Sequence, residues 1–162
     1  MKTGYGLLLF LGAFLCQNTM EGIFFSKGTG PQLLFCVAIL TAFAGESVEM
    51  AILLAAGFSA VQEMCFSLYP GAGTAAIVLA GLGAVFCRRY FAWESPRFLF
   101  PFTAVMTFLY NLLLLSGQKL LGSPYHFLYV LKLQPFVILG NLALMVILYF
   151  LFIHNKESGC GI

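Results

Sequence analysis

Residues 48–66, VEMAILLAAGFSAVQEMCF, run through 67–73, SLYPGAG, into 74–86, TAAIVLAGLGAVF. The first block is apolar apart from Glu49 at its start and Ser59, Gln62 and Glu63 in its second half. Tyr69, Pro70, Gly71 and Gly73 then supply the proline and glycine that end a helix. The spacing predicts one helix over Val48–Phe66 and a second from Thr74 to Phe86 or a little beyond, closing on Cys87, Arg88, Arg89 and Tyr90. Small residues recur at helical spacing in both: Ala76, Ala80 and Ala84 with Gly73, Gly81 and Gly83 nearby, and Ala56 and Ala60 beside Gly57. Rows of this kind let helix backbones approach closely in a membrane, so these two segments are expected in the middle of a bundle.

Four more apolar segments flank this pair. Tyr5 to about Phe25 is interrupted late by Gln17, Asn18, Thr19, Glu21 and Gly22, and Lys27, Gly28, Gly30 and Pro31 form a turn after it. Gln32–Ala44 is short and closes at Gly45, Glu46 and Ser47. Phe98–Leu115 carries Asn111 and precedes a long connection, Ser116–Lys132, with Lys119, Pro124, Tyr125, His126 and Tyr129. Leu133–Ile153 has Pro135 in its first turn and Asn141 in its interior. Met1, Lys2 and Thr3 before Leu7–Leu15 have the outline of a secretory signal, but no A-x-A-like cleavage site follows and Leu15 is too bulky before Cys16, so a retained first helix is expected. The fold class is therefore an all-α integral membrane protein, a compact bundle of about six transmembrane helices, with residues 1–155 as one polytopic domain and 156–162 as a short tail.

Composition leads to the same class. Of 162 residues, 61% are hydrophobic and 9% charged, with no aspartate; the mean hydropathy is +0.97. Soluble domains are about half apolar and about a quarter charged. At about 20 residues per span, six spans use nearly the whole length. The net charge of +2 includes only three arginines and forms no basic stripe, which argues against nucleic-acid binding. The five cysteines have no CxxC spacing, and four sit within or beside apolar runs, as small hydrophobes rather than disulfide or zinc ligands. With six spans, Lys2, Arg88, Arg89, Arg97 and Lys156 fall on one side and Lys27, Lys119 and Lys132 on the other, which places both termini in the cytoplasm.

Few groups could carry chemistry. Glu63 stands out because an ionisable side chain inside a span needs a partner, water or a use. With no second acid within a helical turn, a structural polar anchor or partner-facing hydrogen bond is favoured over ion translocation. Gln62 is adjacent in sequence but points elsewhere on the helix. Glu21 is close enough to the membrane edge to reach headgroups, and Asn111 and Asn141 are suited to bonding across helices. No GxSxG, HExxH, P-loop or dinucleotide fingerprint occurs, and His126 and His154 have no cysteine or aspartate constellation. These observations predict a protein that is not an enzyme and uses no cofactor or metal.

The order of these features resembles the MreD family of rod-shape-determining bacterial membrane proteins over roughly residues 31–152. The stretch that carries most of it is Gly57 and Phe58 followed by a polar-to-glycine transition ending at Gly73. It is similar to the family's Gly-Phe, acidic residue and Leu-Gly arrangement between central helices. Phe108, Leu109 and Tyr110 before a leucine run, and Pro135, Asn141 and Tyr149 in the last helix, are also similar. The chain departs from the pattern at Cys65, where an aspartate is usual, at Val61 for glycine and at Ala72 for leucine; Glu63 would supply the acid from another face of the helix. The resemblance implies a non-enzymatic scaffold subunit of the cell-wall elongation machinery in the bacterial cytoplasmic membrane. Its implied partners are an MreC-like protein and, through it, MreB, RodA and a penicillin-binding transpeptidase. The family's fold is similar to the substrate-binding component of energy-coupling-factor vitamin transporters, which supplies an alternative function as a vitamin-binding subunit. Its expected mark is an enclosed pocket using Glu63, Asn111 or the Tyr125–Tyr129 loop.

Overall fold

The computed structural model describes residues 3–23, 32–44, 48–67, 70–90, 96–122 and 127–151. They form six helices: α1 (Thr3–Ile23), α2 (Leu33–Ala44), α3 (Val48–Phe66), α4 (Ala72–Tyr90), α5 (Pro96–Leu120) and α6 (Phe127–Tyr149). A short π-helical turn at Phe150 and Leu151 continues α6, and the remaining described residues are turn or irregular, so the described residues are all-helical. Three of the helices contain stretches long and apolar enough to cross a bilayer, Glu49–Phe66, Phe98–Leu120 and Leu131–Tyr149. The apolar parts of the others are shorter, at Gly6–Thr19, Leu33–Ala42 and Ala72–Cys87.

Side-chain pairings fix an up-and-down arrangement. Gln17 late in α1 meets the start of α2 at Leu34, and Ala42 at the end of α2 packs with Ala51 at the start of α3. Glu63 near the end of α3 meets Gly73 at the start of α4. Gly83 of α4 lies against Met106 of α5, and Gly117 of α5 against Ala72. Gln134 and Tyr149 of α6 then reach Asn111 and Phe100 of α5. Each helix runs antiparallel to the one before it.

The helix at the centre is α2, not α3 or α4. It packs against all five other helices, and Leu34, Phe35, Cys36, Val37, Ile39, Leu40, Thr41 and Ala42 are all buried. Its sequence, LLFCVAILTAFA, has almost no polar face; a helix apolar all round belongs inside. By contrast, α3 buries only a row at Ala51, Ala55 and Ser59, while Leu53, Val61, Met64 and Phe66 point outward. That row lies one position ahead of Ala56 and Ala60, which are half-buried, and Gly57 is exposed with open space where its side chain would be. On α4 the buried row is Ala76, Ala80 and Ala84.

Two further sequence expectations change. The segment Ser116–Lys132 is not one long loop: α5 continues to Leu120 and α6 begins at Phe127. Ser116, Gln118 and Lys119 are compatible with a helix, and Gly117 lets this added turn sit directly on Ala72. Pro135 accordingly stands inside α6 rather than in its first turn. Phe136, next to it, is exposed. The tail 156–162, His126, His154 and the side chain of Glu21 lie outside the described residues.

Glycine sets the spacing between α3 and α4. A Cβ at Gly81 would stand 2.7 Å from the Ile52 side chain, a separation that forces Ile52 or the helices themselves to shift. Gly81→Leu is expected to destabilise the bundle by about 2 kcal/mol through overpacking. The measurement is an unfolding titration in mixed detergent micelles; a Gly57→Leu control, at a position with open space, should fall within about 0.5 kcal/mol of the parent.

Candidate functional site

Two helices begin at one end of the bundle without a capping side chain of their own. In α4 the Gly71 carbonyl accepts the first intrahelical bond, from Ala75 N. Gly71 is thus the capping residue, and it carries no side chain. Its φ of +97° suits glycine and turns the chain sharply from the Pro70 segment into the helix. The N–H groups at this end lack intrahelical partners. Glu63, at the far end of α3, supplies the acceptor instead. Its Oε2 accepts from Gly71 N at 3.0 Å, Thr74 N at 3.0 Å and the Thr74 hydroxyl at 2.6 Å. Its Oε1 accepts from Gly73 N.

One carboxylate therefore meets the donors that an Asp or Ser at the capping position would ordinarily meet, and adds a negative charge at the positive end of the helix dipole. Gly73 makes this approach possible. A Cβ there would lie 2.6 Å from Glu63 Oε1 and 3.2 Å from the Tyr110 hydroxyl. Gln62 is half-buried and takes no part in the cap.

The start of α2 has the same design with neutral groups. Gln32 O accepts from Cys36 N, which makes Gln32 the capping residue. The Gln32 N–H donates to Asn141 Oδ1 of α6 at 2.7 Å, and Leu34 N–H donates to Gln17 Oε1 of α1 at 2.9 Å. Amides then link the helices laterally. Gln32 Nε2 donates to Asn111 Oδ1 at 3.1 Å, Asn111 Nδ2 to Gln134 Oε1 at 3.2 Å, and Asn141 Nδ2 to Thr107 Oγ1 at 3.2 Å. Asn141 is completely buried, as is Thr107. Gln32 Oε1 is buried without a hydrogen-bond partner.

Both caps lie at the same end of the bundle, where α1 and α3 end and α2 and α4 begin. Asn111 and Asn141 belong to one connected cluster, whereas Glu63 belongs to the other. Gln17, Gln32, Thr107 and Gln134 were not singled out by the sequence. The available signal was their register: Gln17 continues the buried row Phe10–Ala13 of α1, and Gln134 the buried row Val137–Asn141–Met145 of α6. A polar residue on a core-facing row needs a partner. The small-residue positions sort by helix, with Ala76, Ala80 and Ala84 buried and Ala56, Gly57 and Ala60 facing partly or wholly outward.

Between α2, α3, α4 and α5 lies a crevice of about 20 Å³. Phe35, Ile39, Ile52, Ala80, Gly81 and Met106 are among its walls. It has room for about one water molecule. Among the described residues no group of three or more His, Cys, Asp or Glu side chains could hold a metal ion. The chain's sequence and fold were compared with family models, curated proteins and solved structures, and none of the three comparisons finds a match.

Proposed function

We propose that the chain is a six-span scaffold subunit of the bacterial cell-wall elongation complex. It acts without chemistry of its own, in the cytoplasmic membrane with both termini inside, and holds the transmembrane helix of an MreC-like partner. Through that partner it associates with MreB, RodA and a penicillin-binding transpeptidase. The observation that carries this reading is where the polar groups are used. Glu63, Asn111, Asn141, Gln17 and Gln134 spend their hydrogen bonds on neighbouring helices of the same chain, while the outer faces keep apolar side chains such as Leu53, Val61, Leu79 and Phe136. Such a bundle offers a rigid apolar surface to another helix. The assignment to the elongation machinery rests on the resemblance carried by Gly57, Phe58 and Gly73. Among the described residues, the crevice between α2, α3, α4 and α5 has room for about one water and does not itself offer the several hundred Å³ that a vitamin-binding subunit needs.

The test is co-purification from native membranes in mild detergent. An MreC-like protein, with one transmembrane helix and a large periplasmic body, should be retained in stoichiometric amounts. Recovery of the chain alone, or with a small molecule released on denaturation, would discard the scaffold reading.

A further inference from the structure

The cap on α4 is built in a way that only the ionised form of Glu63 can satisfy. Every group that its two oxygens meet is a donor: three backbone N–H groups and one hydroxyl. A carboxylate is an acceptor only and fits this set; a carboxylic acid carries a donor of its own. A proton on Oε1 would face the Gly73 N–H, donor against donor. A proton on Oε2 could pass to the Thr74 hydroxyl by rotation of that hydroxyl. The oxygen would then have too little acceptor capacity for both Gly71 N–H and Thr74 N–H. In either case at least one N–H of the first turn loses its partner.

The first turn of α4 carries no acidic side chain, and Gly71 and Gly73 have no side chains at all. From α5, Tyr110 approaches Gly73, and Lys119 is exposed beyond Gly117. The other titratable groups with described side chains on α1 to α4 are Cys16 on α1, Cys36 on α2, Glu49 and Cys65 on α3, and Cys87 on α4. Among the described residues none of these forms an ion pair with Glu63.

The geometry points to a proton-sensitive latch: Glu63 locks the start of α4 to the end of α3 when ionised and releases it when protonated. In the topology proposed above this end faces out of the cell, the side whose acidity follows the medium. The latch itself is independent of any partner.

Amide hydrogen exchange of the full chain in lipid nanodiscs tests it, with protection factors at Gly71, Gly73 and Thr74 corrected for intrinsic exchange. The pH is lowered from about 7 to about 2, far enough below the ordinary glutamate value of about 4.3 for a change of one to two powers of ten to develop. Protection of these amides should fall about 10- to 100-fold in the parent, the equivalent of one or two hydrogen bonds to a charged acceptor, while mid-helix amides of α5 stay protected. Glu63→Gln, which carries donor hydrogens permanently, should show the low protection at both ends of the range. Thr74→Ala removes one donor and keeps the carboxylate, so its lower protection should still fall with acid. Unchanged protection in the parent, or an acid response that persists in Glu63→Gln, overturns the proposal. If Glu63→Gln does not fold, loss of the acid response in Thr74→Ala does so.

Discussion

Asn141→Leu is expected to lower the stability of the bundle by about 3 kcal/mol in an unfolding titration in mixed micelles. Leucine is close to asparagine in shape, so little cavity or overpacking accompanies the change. What disappears is one acceptor and one donor at a fully buried position. The Gln32 N–H, bound to Asn141 Oδ1 at 2.7 Å, begins α2 and loses this acceptor. Leaving such a group unmet costs about 1–3 kcal/mol. Thr107 Oγ1 loses the N–H it accepts from Asn141 Nδ2, while its own hydroxyl can still donate to the preceding turn of α5. The contact from Cys36 Sγ goes to the Asn141 backbone carbonyl and survives the substitution. Asn111→Leu should cost less, about 1–2 kcal/mol, because its partners Gln32 Nε2 and Gln134 Oε1 are side-chain amides that can repack. A change below about 0.5 kcal/mol for Asn141→Leu, as expected for a surface position, would show that Asn141 does not cap α2.

The contrast between these asparagines also marks what the sequence could and could not reveal. Their polarity inside apolar runs was enough to nominate them for bonding between helices. Val48–Phe66 was legible to the residue, because Gly45 and Ser47 before it and Pro70 and Gly71 after it punctuate an apolar run. The central place of α2 was hidden for a physical reason. Small residues mark where two backbones come close, and α3 and α4 have them, but burial on all sides is marked by the lack of any polar face. Leu33–Ala44 has that property, and its shortness disguised it as a weak segment. The extra turns of α5 were obscured by Ser116, Gly117, Gln118 and Lys119, which resemble a loop until Gly117 is placed on Ala72. Glu63 was visible as an anomaly. Its role depends on a capping glycine eight residues later having no side chain, a relation that only the folded turn brings together.

That relation makes Gly73 and Glu63 a coupled pair with a measurable non-additivity. Gly73→Val places a Cβ 2.6 Å from Glu63 Oε1 and 3.2 Å from the Tyr110 hydroxyl. The carboxylate is the more mobile neighbour and must withdraw, which strips acceptors from the first turn of α4, and Tyr110, buried and packed at a tilt against Phe35 with ring centroids 4.8 Å apart, resists the γ-methyl groups. The expected loss is about 3 kcal/mol, of which about 2 kcal/mol is the cap and the rest overpacking. Glu63→Ala loses the same cap without the overpacking, about 2 kcal/mol. In the double variant the cap can be lost only once. Removing the carboxylate also opens the space that valine needs, so the pair should cost about 3 kcal/mol in place of the additive value near 5, a coupling of about 2 kcal/mol. Gly81→Leu, which clashes with Ile52 lower on the same helix, provides the reference: combined with Glu63→Ala it should be additive within about 0.5 kcal/mol. Additivity of Gly73→Val with Glu63→Ala would mean that the carboxylate does not occupy the space above Gly73, and the cap on α4 would have to be abandoned.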